Sequence, residues 1–271
     1  MKTEKDKSKV NDFYTVLAGM RGAANELGGL CNLSDPVEKR VLEDYGAVFL
    51  AHESVLAPPV CIFPNARSVT RFQTEAGLIT AEFGDAAIEL QPAAMRALLG
   101  ARREAQKNGL DITPRGGAEA ARRSFADTLR LWESRLLPAL AHWQERKRIS
   151  PDEAETLKNL PLRRQIAAVL KLEEAGVFFS KDFSKSILYS VAAPGASQHL
   201  SLLAFDASEF QNKTVRQILA RHGWFRTVQN DLPHFTFLGR AEKDLPVFGL
   251  KKLVTADGEF WIPNVSSEST D

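Results

Sequence analysis

The chain has 271 residues, 44% hydrophobic and 25% charged, and its 35 basic and 34 acidic side chains leave a formal charge of +1 at pH 7. That is the make-up of an ordinary globular protein with enough apolar mass for one large or two smaller cores. The net charge argues neither way about polyanions, while the pattern gives nucleic-acid binding little support and offers no membrane span. No basic block is interleaved with aromatics, and no apolar run approaches about 18 residues.

Residues 11–35 read as an N-terminal helix ending near Gly28-Gly29, followed by a short helix from Pro36 to Leu42. Four short β-favouring runs come next, Ala47 to Ala51, Val60 to Phe63, Val69 to Gln73 and Leu78 to Phe83, separated by Pro, Asn and Gly. Thr74-Glu75-Ala76-Gly77 reads as a hairpin connection. These runs predict a β-rich N-terminal module over residues 1–85, with a boundary near Gly84-Asp85.

From Pro92 the period is helical: Met95, Leu98 and Leu99 recur at helix spacing, Pro92 suits the first turn, and Gly109 after Lys107 and Asn108 supplies the stop. Residues 118–176 read as helices and include an insertion at about 130–176. Within it Ser150-Pro151-Asp152-Glu153 is a helix start with an N-cap and a capping-box acid, Pro161 divides the stretch, and Gly176 ends it. Such an insertion either shapes a substrate groove or is scaffold. The basic pairs Arg102-Arg103, Arg122-Arg123 and Arg163-Arg164 and the run Glu145-Arg146-Lys147-Arg148 fall in helical patterns with acids nearby, which reads as solvated faces.

Leu202 to Phe205 is a short buried-strand run ending at Asp206. Asn212 to His222 reads as a helix stopped by Gly223, and Phe225 to Val228 and His234 to Leu238 read as strands. Leu250 to Thr255 and Glu259 to Ile262 form a hairpin about Asp257-Gly258. Helices followed by antiparallel strands predict the α+β class. The second domain then spans residues 86–265, and residues 266–271 are a polar tail.

Chemistry concentrates in two stretches about thirty residues apart, Ser197-Gln198-His199 through Asp206 and Asp231-Leu232-Pro233-His234-Phe235. A catalytic zinc ion is held by three ligands drawn from His, Asp, Glu and Cys, leaving a fourth position for water whose pKa falls to about 7. His199, Asp206 and His234 fit that need as ligands. Asp231 is the spare carboxylate for general acid-base work. Pro233 disfavours a helix at Leu232, so Asp231 and His234 lie on an extended turn. Taken singly, Asp231 reads also as a turn-forming residue before Pro233 and Ser197 as a turn cap. His52, His142 and His222 read as hydrogen-bonded core or surface histidines.

Pro194-Gly195-Ala196-Ser197-Gln198-His199, with Ala204 and Asp206 in register and Asp231-Leu232-Pro233-His234-Phe235 following, resembles the zinc D-Ala-D-Ala carboxypeptidase and L-alanyl-D-glutamate peptidase family. That family carries P-G-x-S-x-H-x-x-G-x-A-x-D and a later acid-x-x-H element. Leu202 stands where the family has Gly. Arg123-Ser124-Phe125 is similar to an upstream arginine string of the family, with Thr128 where Gln is usual, and Pro92 to Thr113 resembles its helix, glycine stop and strand. The resemblance covers roughly residues 88–240. It implies a hedgehog/D-Ala-D-Ala peptidase-like fold, a small antiparallel sheet carrying a zinc site and flanked by helices. It also implies zinc held by His199, Asp206 and His234, Asp231 as acid/base, and Ser197 and Arg123 on the substrate, a peptidoglycan peptide. Read from the residues alone, Arg123 is equally a helix-face arginine paired to a nearby acid.

The expected activity is therefore zinc-dependent hydrolysis of peptidoglycan peptides, foremost as a D-alanyl-D-alanine carboxypeptidase. The alternatives are an L-alanyl-D-glutamate-type endopeptidase or a non-catalytic wall-binding protein. Met1 to Lys9 is polar and charged, with no apolar signal core, and a chain whose leader had been removed would look the same. Cys31 and Cys61 form either one disulfide or two buried thiols. A wall substrate implies a periplasmic or extracellular location.

Overall fold

Residues 10–20 and 27–265 are described by a computed structural model; the Met1 to Lys9 stretch, residues 21–26 of the expected first helix and the 266–271 tail lie outside the described residues. The chain is mixed α+β with small antiparallel sheets, as expected. The expected first helix is represented by α1 (Phe13–Met20) and a single turn, α2 (Leu27–Leu30), and α3 (Pro36–Tyr45) follows, capped by the Asp35 carboxylate.

The β-rich N-terminal module is not what forms. Ala47 to Ala51 lies mostly in a fully buried 3-10 turn, Gly46–Leu50. Val60 to Phe63 is irregular, pinned by the Cys31–Cys61 disulfide and by hydrogen bonds from Cys61 N to Leu30 O and from Phe63 N to Gly195 O, both 2.9 Å. Val69 to Gln73 lies inside α4 (Ala66–Ala76), where Asn65 and Ser68 close a capping box and Val69, Phe72 and Gln73 make one buried stripe. A short apolar run is compatible with either period, and here the cap decides for the helix.

Only the fourth run is a strand, β1 (Ile79–Phe83), and it pairs with β2 (Ala86–Leu90). Gly84 and Asp85, the expected boundary, are the turn between them. The main apolar core takes Phe13, Leu50 and Phe83 from one side of that turn and Met95, Phe205 and Trp224 from the other.

The expected helix after Pro92 is α5 (Pro92–Lys107). Three helices then build a second core around Trp132, Phe179 and Ile187: α6 (Phe125–Glu145), α7 (Pro151–Asn159) and α8 (Leu162–Glu174). The Ser150 capping box with Glu153 is present as read.

The three-stranded sheet that carries the site consists of β3 (Ala204–Asp206), β4 (Trp224–Phe225) and β5 (His234–Phe237), in the order β3-β5-β4, with α9 (Lys213–Arg221) between β3 and β4 in sequence. The expected strand before Pro114 contributes an isolated bridge from Pro114 to Ala207, at the edge of β3. Strands β6 (Leu250–Thr255) and β7 (Gly258–Pro263) pair as the expected hairpin. No described helix is long and apolar enough to cross a membrane.

Candidate metal centre

Strands β3 and β5 place Asp206 directly opposite His234. Because side chains alternate along a strand, Phe205 and Phe235 enter the main core while Asp206, His234 and Thr236 share the other face. His199 reaches that face from a 3-10 turn, Gln198–Ser201. The chain enters this turn through Gly195, whose φ of +84° and contact with Phe63 leave no room for a side chain: an added Cβ would lie 2.2 Å from the Phe63 carbonyl oxygen. It leaves through Leu202, which adopts the left-handed conformation at φ 60°, ψ 26° and so turns the backbone into β3.

Three ligand atoms converge. His199 Nε2 is 3.1 Å from His234 Nδ1 and 3.3 Å from Asp206 Oδ1, and His234 Nδ1 is 3.2 Å from the same oxygen. All three residues are buried.

The outward ring nitrogens fix the tautomers. His199 Nδ1 sits 3.1 Å from the Ala121 carbonyl, an obligate acceptor, so it carries the proton. His234 Nε2 lies 2.8 Å from Gln198 Oε1, and the Gln198 amide nitrogen donates to Tyr45 O at 2.7 Å, so His234 donates through Nε2. Two imidazole lone pairs and a carboxylate oxygen therefore point at one spot. Such an arrangement is repulsive unless a cation or a proton lies between the acceptors. Burial, then the positive charge of Arg123, drives the His199 pKa down to about 4, which disfavours a proton on that imidazole at neutral pH. The group can hold a metal ion.

Arg123 lies just before Ser124, the N-cap of α6, and does not sit on a helix face. Its guanidinium pairs with Asp206 Oδ2 at 2.8 Å and donates to Glu119 O at 3.1 Å. The nearby acid of the alternative reading is thus the candidate ligand itself, and Arg123 holds that carboxylate. Burial alone would raise the Asp206 pKa, but His199 first and His234 after it, which pair with the carboxylate when they are protonated, hold it well below the ordinary carboxylate range.

Asp231 lies in the turn before β5, and its carboxyl is raised above the ordinary value, first by burial and further by the Asp206 charge. A carboxyl raised in this way holds a proton more readily than an exposed one. Ser197 is buried at the same cavity and makes no side-chain cap bond, so the turn-cap reading does not describe it.

The cavity has a volume of about 190 Å³ and takes Asp231, Ser197 and Arg123 together with all three candidate ligands. Helix α6 forms one wall through Thr128, Leu131 and Arg135. Of the other histidines, His222 pairs with Glu104 at 2.9 Å and His142 stacks on Phe183, both away from this cluster. Sequence reasoning passed over Gln198, which fixes His234, and Arg135. Gln198 stood inside the motif as an unassigned position, whereas nothing local marked Arg135. No protein-family model matches the chain, and no curated protein matches its sequence.

Proposed function

We propose that the chain is a zinc-dependent peptidase acting on peptidoglycan peptides, foremost as a D-alanyl-D-alanine carboxypeptidase. The observation that carries this reading is the triangle of His199 Nε2, His234 Nδ1 and Asp206 Oδ1, with sides of 3.1, 3.2 and 3.3 Å. Ligands at about 2.0–2.1 Å from a tetrahedral ion are about 3.3–3.4 Å apart, and two histidines with a carboxylate form a familiar catalytic zinc set. The bonds from His199 to Ala121 O, from His234 to Gln198 and from Arg123 to Asp206 are the outer-shell contacts that orient such ligands.

When bound, zinc would polarise the scissile carbonyl and acidify the attacking water. Asp231 takes the proton at its carboxylate and delivers it to the leaving amine. Ser197 offers a hydroxyl to the substrate backbone, and α6 excludes water along one side.

Leu202 supports the family resemblance despite its side chain. The position at which the family carries Gly has positive φ in this chain, a conformation that costs a non-glycine residue about 1–2 kcal/mol. The Cys31–Cys61 disulfide favours an oxidising compartment, as a wall substrate requires.

The test is metal analysis of chain purified without chelator, combined with mass-spectrometric readout of a muropeptide ending in D-Ala-D-Ala. About one zinc per chain and loss of a single D-Ala are expected, with Asp231→Asn keeping the metal and losing roughly 100-fold or more in turnover. Internal cleavage would assign the endopeptidase activity instead. A zinc-free, inactive chain would leave the non-catalytic wall-binding reading.

A further inference from the structure

Resting on the peptidase reading for the identity of the substrate, we infer that Arg135, and not Arg123, receives the substrate's free terminal carboxylate. Two cations line the cavity, Arg123 and Arg135. The first is spent: its guanidinium neutralises Asp206 and also bonds the Glu119 carbonyl. The second is held in place without being neutralised. Arg135 donates from Nε to Ser190 Oγ at 2.8 Å and from Nη1 to Ser134 Oγ at 3.0 Å, and among the described residues no carboxylate lies within ion-pair distance of it.

Its placement on α6 gives it a direction. Thr128, Leu131 and Arg135 follow one another at steps of three and four, one face of a helix, and all three line the cavity. The Thr128 hydroxyl is committed, donating to Phe125 O at 2.6 Å and accepting from Gly195 N at 3.3 Å. Leu131 is apolar. Arg135 is therefore the single ionic group on that wall, with apolar Leu188, Val191 and Ala192 also lining the cavity.

An apolar surround weakens solvent competition and strengthens a guanidinium–carboxylate pair. A small cavity whose one unspent cation sits beside Leu131, Leu188, Val191 and Ala192 fits a short C-terminal residue with a methyl side chain and a free acid. A substrate whose chain continues past the cut residue would bring no carboxylate to this cation. The structure thereby favours a terminal over an internal cleavage site, and it separates the two arginines by role: Arg123 positions a metal ligand, Arg135 binds substrate.

Binding of N-acetyl-D-Ala-D-Ala and of its C-terminal amide to the zinc-loaded full chain, carrying Asp231→Asn to prevent turnover, tests this by calorimetry or NMR titration. The free acid is expected to bind about tenfold or more tighter than the amide, the worth of one charge-assisted pair. Arg135→Gln keeps a donor for Ser190 and should erase that preference, while Arg135→Lys, with charge but no fork, should keep part of it. Arg123→Gln should leave the preference intact, whatever it does to metal content.

Equal binding of acid and amide, binding of neither, or a preference that survives Arg135→Gln overturns the assignment. The two readings fail separately. An Arg135-dependent preference in a chain whose intact form hydrolyses neither peptide would refute the peptidase and keep the anchor. Hydrolysis without any acid preference would do the reverse.

Discussion

Among the described residues, two places gather three metal-type side chains within a few ångströms, Cys31 with Glu38 and Cys61, and His199 with Asp206 and His234. In the first, the two cysteines offer no thiolate. The sulfurs are joined to each other, and Glu38 is bound by Arg163 and by the Asn32 amide. In the second, the outward ring nitrogens are the ones that hydrogen-bond, which leaves the inward lone pairs unshared. Proximity of ligand types therefore marks a candidate only when the atoms that face one another are acceptors without donors.

The sharpest way to break this comparison is to load both places with zinc. A ligand bound only by the folded state stabilises it by about 4 kcal/mol at a thousandfold excess over Kd. His199→Ala with His234→Ala should abolish the zinc-induced rise in melting temperature. Cys31→Ser with Cys61→Ser should lower the baseline by about 2–4 kcal/mol and leave the zinc increment unchanged. A zinc response lost with the cysteines would move the metal to the other cluster.

A second measurement weighs the contacts behind the ligands. Arg123→Ala frees Asp206 from its arginine partner and should weaken zinc binding ten- to a hundredfold, about 1.4–2.7 kcal/mol, in competition with a chromophoric chelator. An unchanged affinity would mean that Asp206 needs no such support.

The third concerns pH in metal-free chain. His199 titrates at about 4 when folded and near 6.5 when unfolded, so between those values the unfolded state holds more protons. The resulting stability is fully present above pH 6.5 and is lost as pH falls toward 4. At pH 5 the loss is about 2 kcal/mol. Urea unfolding at pH 7 and pH 5 should show it in wild type and not in His199→Gln; equal slopes in the two would refute it.

How much of this was legible follows from the range of the signals. The Ser150 cap, the α5 period and the Asp257-Gly258 hairpin are written in neighbouring residues and were readable. So was the convergence of His199, Asp206 and His234, because motif spacing encodes a local strand and turn. Val69 to Gln73 misled because its β-branched residues outweighed the Asn65 and Ser68 cap. Strand β2 passed unread, since Ala86 and Ala87 carry little strand propensity and pair only because β1 is beside them. The partners of Arg123, 83 positions away at Asp206, and of Arg135, 55 positions away at Ser190, have no local signature at all.

The facing of Asp206 against His234 also makes the site a matter of strand parity. A slip of either strand by one residue would turn that strand's phenylalanine, Phe205 or Phe235, into the cavity and carry its ligand into the core, leaving the other ligand without its partner. Length changes between these strands are thus confined to the parts of residues 207–233 outside α9 and β4, and there they must spare the turn that carries Asp231. A single-residue deletion inside either strand, though it removes no ligand, should erase metal binding as completely as replacing His234.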